Sequence, residues 1–322
     1  MGSRDVTVII PARNAASSIA RTLKSVEWQT LAPSRVLVVD DGSSDSTTEV
    51  VRRFSASSGV NISLLHTGGR GAGAARNEGL AQVSTPYVAF LDADDIWYPT
   101  KLERQVPLTD DRRIVGCLMH YLTPRGAILG VNARFDSFDT ATEALRSGRV
   151  MPLALSSWLM PTQRLIEIGG FDETFRRAQD LELCVRLTNV GMSLAWPQTA
   201  ILLGYLIHAS AVTATAYREK ILAAELVRHR LAEGNAVAYE PWVASKSHSI
   251  NLRRRALSGN YYRLAAVRSG QGRATAKWAA AAAALTLDPI EVLKKLKWRD
   301  SRVSQEPAAA VPNAVLDLLN ET

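Results

Sequence analysis

The chain has 322 residues, 47% of them hydrophobic and 21% charged; this is globular composition, with enough apolar residues for a sizeable core, and it excludes a disordered or collagen-like chain. The formal net charge of +7 is uneven, because residues 1–217 are neutral, 218–300 carry +9 and 301–322 carry −2. A carboxylate-bearing first part is thereby set apart from a basic C-terminal module.

The opening run, VTVIIP from Val6, is rich in β-branched residues and reads as a strand. AASSIARTLKSVEW follows with helical spacing at Ile19, Leu23 and Val26, and RVLVVDD is a second strand ending in Asp40 and Asp41. SDSTTEVVRRFSA opens with a cluster, Ser43 to Ser46, that predicts a helix cap; NISLLH is a third strand, AARNEGLAQV a helix and PYVAFLD a fourth strand. Strands alternating with helices of about 10 to 14 residues predict right-handed crossovers and a mainly parallel sheet flanked by helices. Ligands of such sheets gather outside the carboxyl ends of the strands. Pro11 to Asn14, Asp40 and Asp41, and Asp92 to Asp95 all fall there.

From about residue 105 the pattern loosens. MHYLTPRGAILG predicts a hairpin, FDSFDTATEALRSG a loop into a helix, SSWLMPTQRLIEIGG a strand and a helix closed by Gly169 and Gly170, and AQDLELCVRLTNVG a helix ending at Gly191. Beyond Ala216 the pattern is helical, QEPAAAVP from Gln305 is linker-like, and AVLDLLNET is either a short terminal helix or a disordered tail. The expected organisation is a domain over 1–215, a basic helical extension over 216–300 and a tail over 301–322. Cys117 and Cys184 lie in apolar runs without CxxC spacing and read as reduced core residues. The N-terminal apolar run is too short for a signal peptide, and WAAAAAALTL from Trp278 is roughly half of a bilayer crossing; a cytoplasmic location is expected.

Asp92, Asp94 and Asp95 crowd negative charge at the end of an apolar strand, which is costly unless a cation or solvent offsets it. A hard divalent ion is held by one or two carboxylates and completed by waters and phosphate oxygens. DxD here therefore suggests Mn²⁺ or Mg²⁺ bridging protein and diphosphate. Asp40 at the second strand end is placed to accept from a nucleobase or a ribose, with helix capping as the alternative for its neighbourhood.

VTVIIPARN, VLVVDDGSSDST, GAGAARNEGL, YVAFLDADDIWYPTKLERQ and IGGFDETFRRAQDLELCVRL, in this order and spacing, resemble the family-2 inverting glycosyltransferases of GT-A fold over about residues 5–215. The resemblance implies a Rossmann-like α/β fold, a nucleotide-diphospho-sugar donor and a saccharide or lipid-linked saccharide acceptor. It also implies site residues. Pro11, Arg13 and Asp40 match the nucleotide-binding set, Arg76 lies near the diphosphate, Asp92 contacts ribose or the metal's waters, and Asp94 is the metal ligand. Asp95 is either part of that group or a cap of the next turn. Asp180 matches the catalytic base, in the stretch Ala178-Gln179-Asp180, where Gln stands in place of the more usual Glu. Gly170, Phe171 and Trp97 are acceptor-side candidates, each with core packing as the alternative, and His208 is a candidate second metal group or a structural histidine.

The basic extension, with Arg253 to Arg255 and Lys294, Lys295 and Lys297, is either an interfacial helix bundle for an anionic membrane surface or a solvated face packed on the domain or a second subunit. A peripheral place on the inner membrane face and a homodimer follow from these alternatives; no nucleic-acid motif accompanies the charge. Two rival functions compete. GRGAGAA matches a dinucleotide fingerprint but follows the third strand and not the first, against a nicotinamide-dependent oxidoreductase. A nucleotide-sugar-binding module without turnover is the other, prompted by Gln179.

Overall fold

The computed structural model describes residues 5–132, 137–148, 153–197, 200–207, 217–233, 239–246 and 310–320. Strands and helices alternate at the start: β1 (Val6–Ala12), α1 (Ile19–Glu27), β2 (Arg35–Asp40), α2 (Thr47–Ser57), β3 (Ile62–His66), α3 (Ala72–Leu80) and β4 (Tyr87–Phe90). Shorter elements follow as β5 (Ile96–Trp97), α4 (Lys101–Gln105), β6 (Arg113–Val115), β7 (Leu118–Leu122), β8 (Ile128–Val131) and α5 (Phe138–Arg146). Then come β9 (Leu159–Pro161), α6 (Thr162–Glu167), α7 (Gln179–Asn189), β10 (Ser193–Ala195) and β11 (Ile201–Leu206). The last helices are α8 (Tyr217–Glu233), α9 (Tyr239–Lys246) and α10 (Asn313–Asn320).

A seven-stranded sheet runs β10-β6-β9-β4-β1-β2-β3. β1 is parallel to β2 and β4, β2 to β3, and β10 to β6, while β9 is antiparallel to both its neighbours. The expected mainly parallel sheet is therefore present, with one antiparallel strand inside it. Central strands are covered on both faces, which explains the unbroken apolar run of β1. One face, carrying Ile9, Leu37, Val39, Val88 and Phe90, packs on α3 and α5 to α9; the other, carrying Val8, Ile10, Val36, Val38 and Ala89, packs on α1 and α2.

The chain order reverses at β1, because β2 and β3 lie to one side and β4 to the other. Pairing of β1 with β2 continues to Ala12 opposite Asp40, whereas pairing with β4 stops at Ile9 opposite Phe90, apart from one further bond from Leu91 N to the Ile9 carbonyl. The strands part there and open a crevice at the reversal point, where open α/β sheets bind ligands. Ile9 bonds toward β4, so Pro11, two residues on, turns its missing N–H to the same side, past the end of that ladder.

A second sheet, β5-β11-β7-β8, follows the DxD segment, and β7 and β8 form the expected hairpin. Its apolar side is covered by α10, through Val311, Val315, Leu318 and Leu319 against Ile96, Tyr98, Leu122 and Leu206. Residues 313–320 are thus a packed helix, which decides between the two alternatives for the tail. Ala223, Leu226, Val227 and Tyr239 of α8 and α9 join the main apolar cluster, so the described part of the extension packs on the first domain.

α3 lies against β1 at Gly79, where an added Cβ would sit 2.8 Å from Ile9 Cγ2. Overpacking at such a contact costs about 1–3 kcal/mol, against the gain of roughly 1 kcal/mol that alanine brings to a helix interior. Gly79→Ala is expected to lower the unfolding free energy by about 1 kcal/mol, read from the midpoint of a urea titration.

Candidate active site

The β1–β2 side of the crevice is built from three loops tied together. Asn14, in the left-handed region at φ 51°, accepts from Ser44 N through its side chain at 2.8 Å and donates its own N–H to Ser43 Oγ at 2.9 Å. Asp45 caps α2 by accepting from Thr47 N at 3.0 Å, and it also accepts from Ala16 N at 3.1 Å. Within the Ser43 to Ser46 cluster expected to cap this helix, Asp45 supplies the bond and Ser46 makes none to its N–H groups. Asp40 is buried at the end of β2, accepts from Ser43 N at 3.3 Å and lies 3.4 Å from His66 Nδ1.

Asp41, its neighbour, was no site candidate, yet it pins the glycine-rich loop. Its carboxylate accepts from Gly71 N at 2.8 Å and Thr67 Oγ1 at 2.7 Å, and Arg13 Nη1 lies 3.8 Å away. Gly68, Gly69 and Gly71 all take positive φ, and a Cβ on Gly42 would come within 3.0 Å of Gly69 N. GRGAG is a backbone turn clamped to the second strand.

The three aspartates after β4 have distinct environments. Asp95 is 1% exposed, accepting from Ser156 Oγ at 2.6 Å and Leu206 N at 3.2 Å, and burial with two neighbouring carboxylates raises its pKa well above the ordinary value. Its partners lie at Ser156 and on β11 and not in the turn that follows, so it anchors β11. Asp92 and Asp94 are half-buried. Asp92 Oδ1 accepts from Arg76 Nη2 at 2.7 Å; desolvation in the cleft, with Asp94 and Asp180 adding like charge, raises its pKa against the opposing pull of Arg76. No group of three or more His, Cys, Asp or Glu with metal-holding geometry occurs among the described residues. Two half-buried carboxylates nevertheless fit a hard cation completed by waters and a diphosphate.

Arg76 links this strand end to the next helix. Its Nη1 donates to Gln179 Oε1 at 3.1 Å, and its guanidinium lies 5.4 Å from the Phe171 ring centroid. Gln179 in turn donates to the Phe175 carbonyl at 2.5 Å. Ala178, at φ 55°, makes the sharp entry to α7 and puts Asp180 in its first turn, half-buried, with Oδ1 accepting from Leu181 N at 2.9 Å. Asp180 is near enough to Asp92 for its charge to act there.

Gly170 and Phe171 serve the frame and not an open acceptor wall. Asn77 of α3 donates to the Phe171 carbonyl at 2.9 Å and accepts from Phe171 N at 2.8 Å, and a Cβ on Gly170 would stand 2.5 Å from Asn77 Oδ1. Phe171 is buried, edge-on to Phe90 at 5.3 Å. His208 lies outside the described residues, as do Arg253 to Arg255 and Lys294, Lys295 and Lys297. Arg76, Asp92, Asp94 and Asp180 are brought together by the bonds and charges above, while Pro11, Arg13 and Asp40 lie at the ends of the neighbouring strands β1 and β2.

Residues 7–141 match the model of glycosyl transferase family 2. These residues, less than half of the chain, resemble glycosyl transferase family 2. A pre-mycofactocin glycosyltransferase of Mycobacterium tuberculosis is 32% identical over 218 residues, 62% of this chain and 42% of that protein. An Escherichia coli protein, UDP-Glc:alpha-D-GlcNAc-diphosphoundecaprenol beta-1,3-glucosyltransferase WfgD, is 43% identical over 104 residues, 32% of this chain and 40% of that protein. Each match spans less than half of the relative. Among solved structures, the mannosyltransferase PcManGT from Pyrobaculum calidifontis, in complex with GDP-Man and Mn²⁺, superposes with a TM-score of 0.55 at 21% identity, covering 98% of this chain and 85% of that one. The fold is GT-A, an α/β architecture with a mainly parallel sheet.

In this domain Trp97 is 1% exposed, with Nε1 donating to the Ser156 carbonyl at 2.8 Å, so it is core and not an acceptor platform. Its ring carries a buried ammonium: Lys101 Nζ lies 3.9 Å from the Trp97 centroid and donates to Gln105 Oε1 at 2.6 Å. Burial holds the Lys101 pKa down at about 8. Between that value and the ordinary lysine value of about 10.4 the unfolded chain binds more protons than the folded one, so this group's contribution to stability rises with pH. From pH 8 to pH 10 the wild type is expected to gain about 2 kcal/mol relative to Lys101→Met, read by denaturant titration at each pH.

Proposed function

We propose that the chain is a metal-dependent inverting glycosyltransferase that moves a sugar from a nucleotide-diphospho-sugar to a hydroxyl of a saccharide or lipid-linked saccharide. The observation that carries this reading is the Arg76 bridge, which joins Asp92 at the end of β4 to Gln179 at the start of α7. It draws the DxD carboxylates and the Asp180 helix to one cleft. The similarity to WfgD, a UDP-Glc:alpha-D-GlcNAc-diphosphoundecaprenol beta-1,3-glucosyltransferase, supports a nucleotide-sugar donor with a lipid diphosphate acceptor, and PcManGT, in complex with GDP-Man and Mn²⁺, supports a divalent cation.

Pro11, Arg13 and Asp40 line the nucleotide side, Asp94 would hold Mn²⁺ or Mg²⁺, and Asp92 would meet the ribose or the metal's waters. When bound, the cation supplies charge neutralisation at the leaving diphosphate. Asp180 accepts the proton of the acceptor hydroxyl, whose oxygen forms the new bond to the anomeric carbon from the face opposite the leaving group. The bond from that carbon to the diphosphate oxygen breaks in the same displacement, and its electron pair leaves with the nucleoside diphosphate. Arg76 fixes Asp92, and the Gly170–Phe171 turn fixes Arg76; their acceptor-side role is indirect. Where the acceptor is lipid-linked, the basic stretch with Arg253 to Arg255 suits peripheral contact with an anionic membrane surface. No helix of the described residues is long and apolar enough to cross a membrane.

Removing a general base costs about 10²- to 10⁴-fold in turnover, and Asp180→Asn is expected to lose that much while keeping its nucleotide-induced rise in melting temperature. Asp94→Ala is expected to lose the part of that rise that depends on Mn²⁺. Thermal melts with UDP and GDP, with and without each metal, check both; no shift with any combination overturns the reading.

A further inference from the structure

Helices α8 and α9 belong to the extension beyond the family 2 match, yet they converge on the turn that carries Asp180. Arg230, near the end of α8, donates through Nη1 to Asp172 Oδ2 at 2.9 Å, and its guanidinium lies 4.8 Å from the Phe175 centroid. Phe175 is fully buried and packs on Tyr239 of α9 at 5.3 Å. Arg177 Nε lies 3.2 Å from Glu219 Oε2 of α8. The two helices hold each other through Trp242 Nε1, which donates to the Leu222 carbonyl at 3.2 Å, and through His229 stacked on Trp242 at 4.6 Å. α8 is also tied to the end of α5, because Arg228 Nη1 donates to the Gly148 carbonyl at 3.2 Å.

The turn so gripped contains a strained residue. Ala178 adopts φ 55°, a region an alanine occupies only when its surroundings over-determine it. On its far side the restraint is Gln179, bound to Arg76; on its near side it is Phe175 and Arg177, bound to α8 and α9. The contacts form one line, from Arg230 to Phe175, from the Phe175 carbonyl to Gln179, from Gln179 to Arg76, and from Arg76 to Asp92. If the near side loosens, the left-handed turn relaxes and the first turn of α7 moves with it.

Resting on the reading given above, we propose that Arg230 is a positioning residue for the transfer reaction, and that α8 and α9 set the placement of Asp180 from beyond residue 216. The ion pair with Asp172 is part-buried, with side chains 20% and 24% exposed, and the stack on Phe175 requires a planar guanidinium. The neighbouring pair Arg176 to Glu240, 2.8 Å apart with side chains 74% and 64% exposed, is a rim contact of little energetic weight and serves as the control.

The test uses the full chain with UDP-glucose, UDP-GlcNAc and GDP-mannose as donor probes. Displacement of a catalytic group by about an ångström costs on the order of 10²-fold, so Arg230→Ala is expected to lower kcat by about 10- to 100-fold with donor KM and the nucleotide-induced melting shift unchanged. Arg230→Lys is expected to recover only part of the loss, and Arg176→Ala to leave kcat as in the wild type. Should Arg230→Ala fail to fold, Asp172→Asn removes the same ion pair more mildly and is read the same way. Unchanged kcat in the folded variant overturns the proposal, as does a parallel loss of nucleotide binding, which marks a general role in folding. Hydrogen exchange separates this from the functional reading. If the wild type consumes none of the three donors the transferase reading fails, while faster exchange over residues 172–182 in Arg230→Ala, with β1 to β4 unaltered, still supports the coupling and unaltered exchange overturns it.

Discussion

A single buried cation organises this cleft. Arg76 is 7% exposed, and a guanidinium so placed cannot lose its charge, so the structure must surround it with acceptors or a π face. Asp92, Gln179 and Phe171 are those partners, drawn from the end of β4, the start of α7 and the turn between α6 and α7. Breaking a buried pair by removing one partner costs about 3–5 kcal/mol. The need to satisfy one arginine thus brings elements about a hundred residues apart in sequence to one point, and fixes the half of the cleft where charge changes hands.

The identity of residue 179 follows from the same accounting. Its Oε1 faces a donor, Arg76 Nη1, and its Nε2 faces an acceptor, the Phe175 carbonyl. A carboxylate there would gain charge against Arg76 but would turn two lone pairs toward the carbonyl and leave it unpaired. An amide satisfies both ends. It also leaves Asp92 as the anionic partner of Arg76 and keeps a further negative charge out of a cleft that already holds Asp92, Asp94 and Asp180. The departure from the Glu more usual at this position thus has a local reason that leaves the Asp180 carboxylate in place.

Much of the frame was legible because it is written in long apolar runs and strand-end acids. β1 to β4 and the helices between them follow from periodicity, and the crevice follows from their order. Elements of two or three residues, such as β5, β6, β9 and β10, are too short to show a period, so the antiparallel insertion of β9 and the second sheet were not visible. Asp92, Asp94 and Asp95 are the same residue type in one tetrapeptide, and spacing cannot separate them. Ser156, 61 residues beyond Asp95, and Leu206 on β11 make Asp95 a buried anchor. Trp97 looked available because it follows those acids; it is buried because Lys101 and Ser156 claim both its face and its N–H. The pattern of α8 and α9 was seen, but nothing in a helical pattern says which loop it will grip.

Among the described residues two non-glycine residues have left-handed backbones, Asn14 after β1 and Ala178 before α7. Asn14 carries its own remedy, because its short amide bonds across the turn to Ser43 and Ser44 and lowers the cost of that conformation. Ala178 has no side-chain means to do so. Its conformation must be held from outside, by Gln179 on one side and by Phe175 and Arg177 on the other. The lip bearing Asn14 is therefore stabilised locally, by residues within the first two βα units, whereas the lip bearing Asp180 draws on helices beyond residue 216. Such a division puts the rigid, self-contained half of the site where binding is expected, and the half that depends on distant packing where the acceptor proton is to be taken.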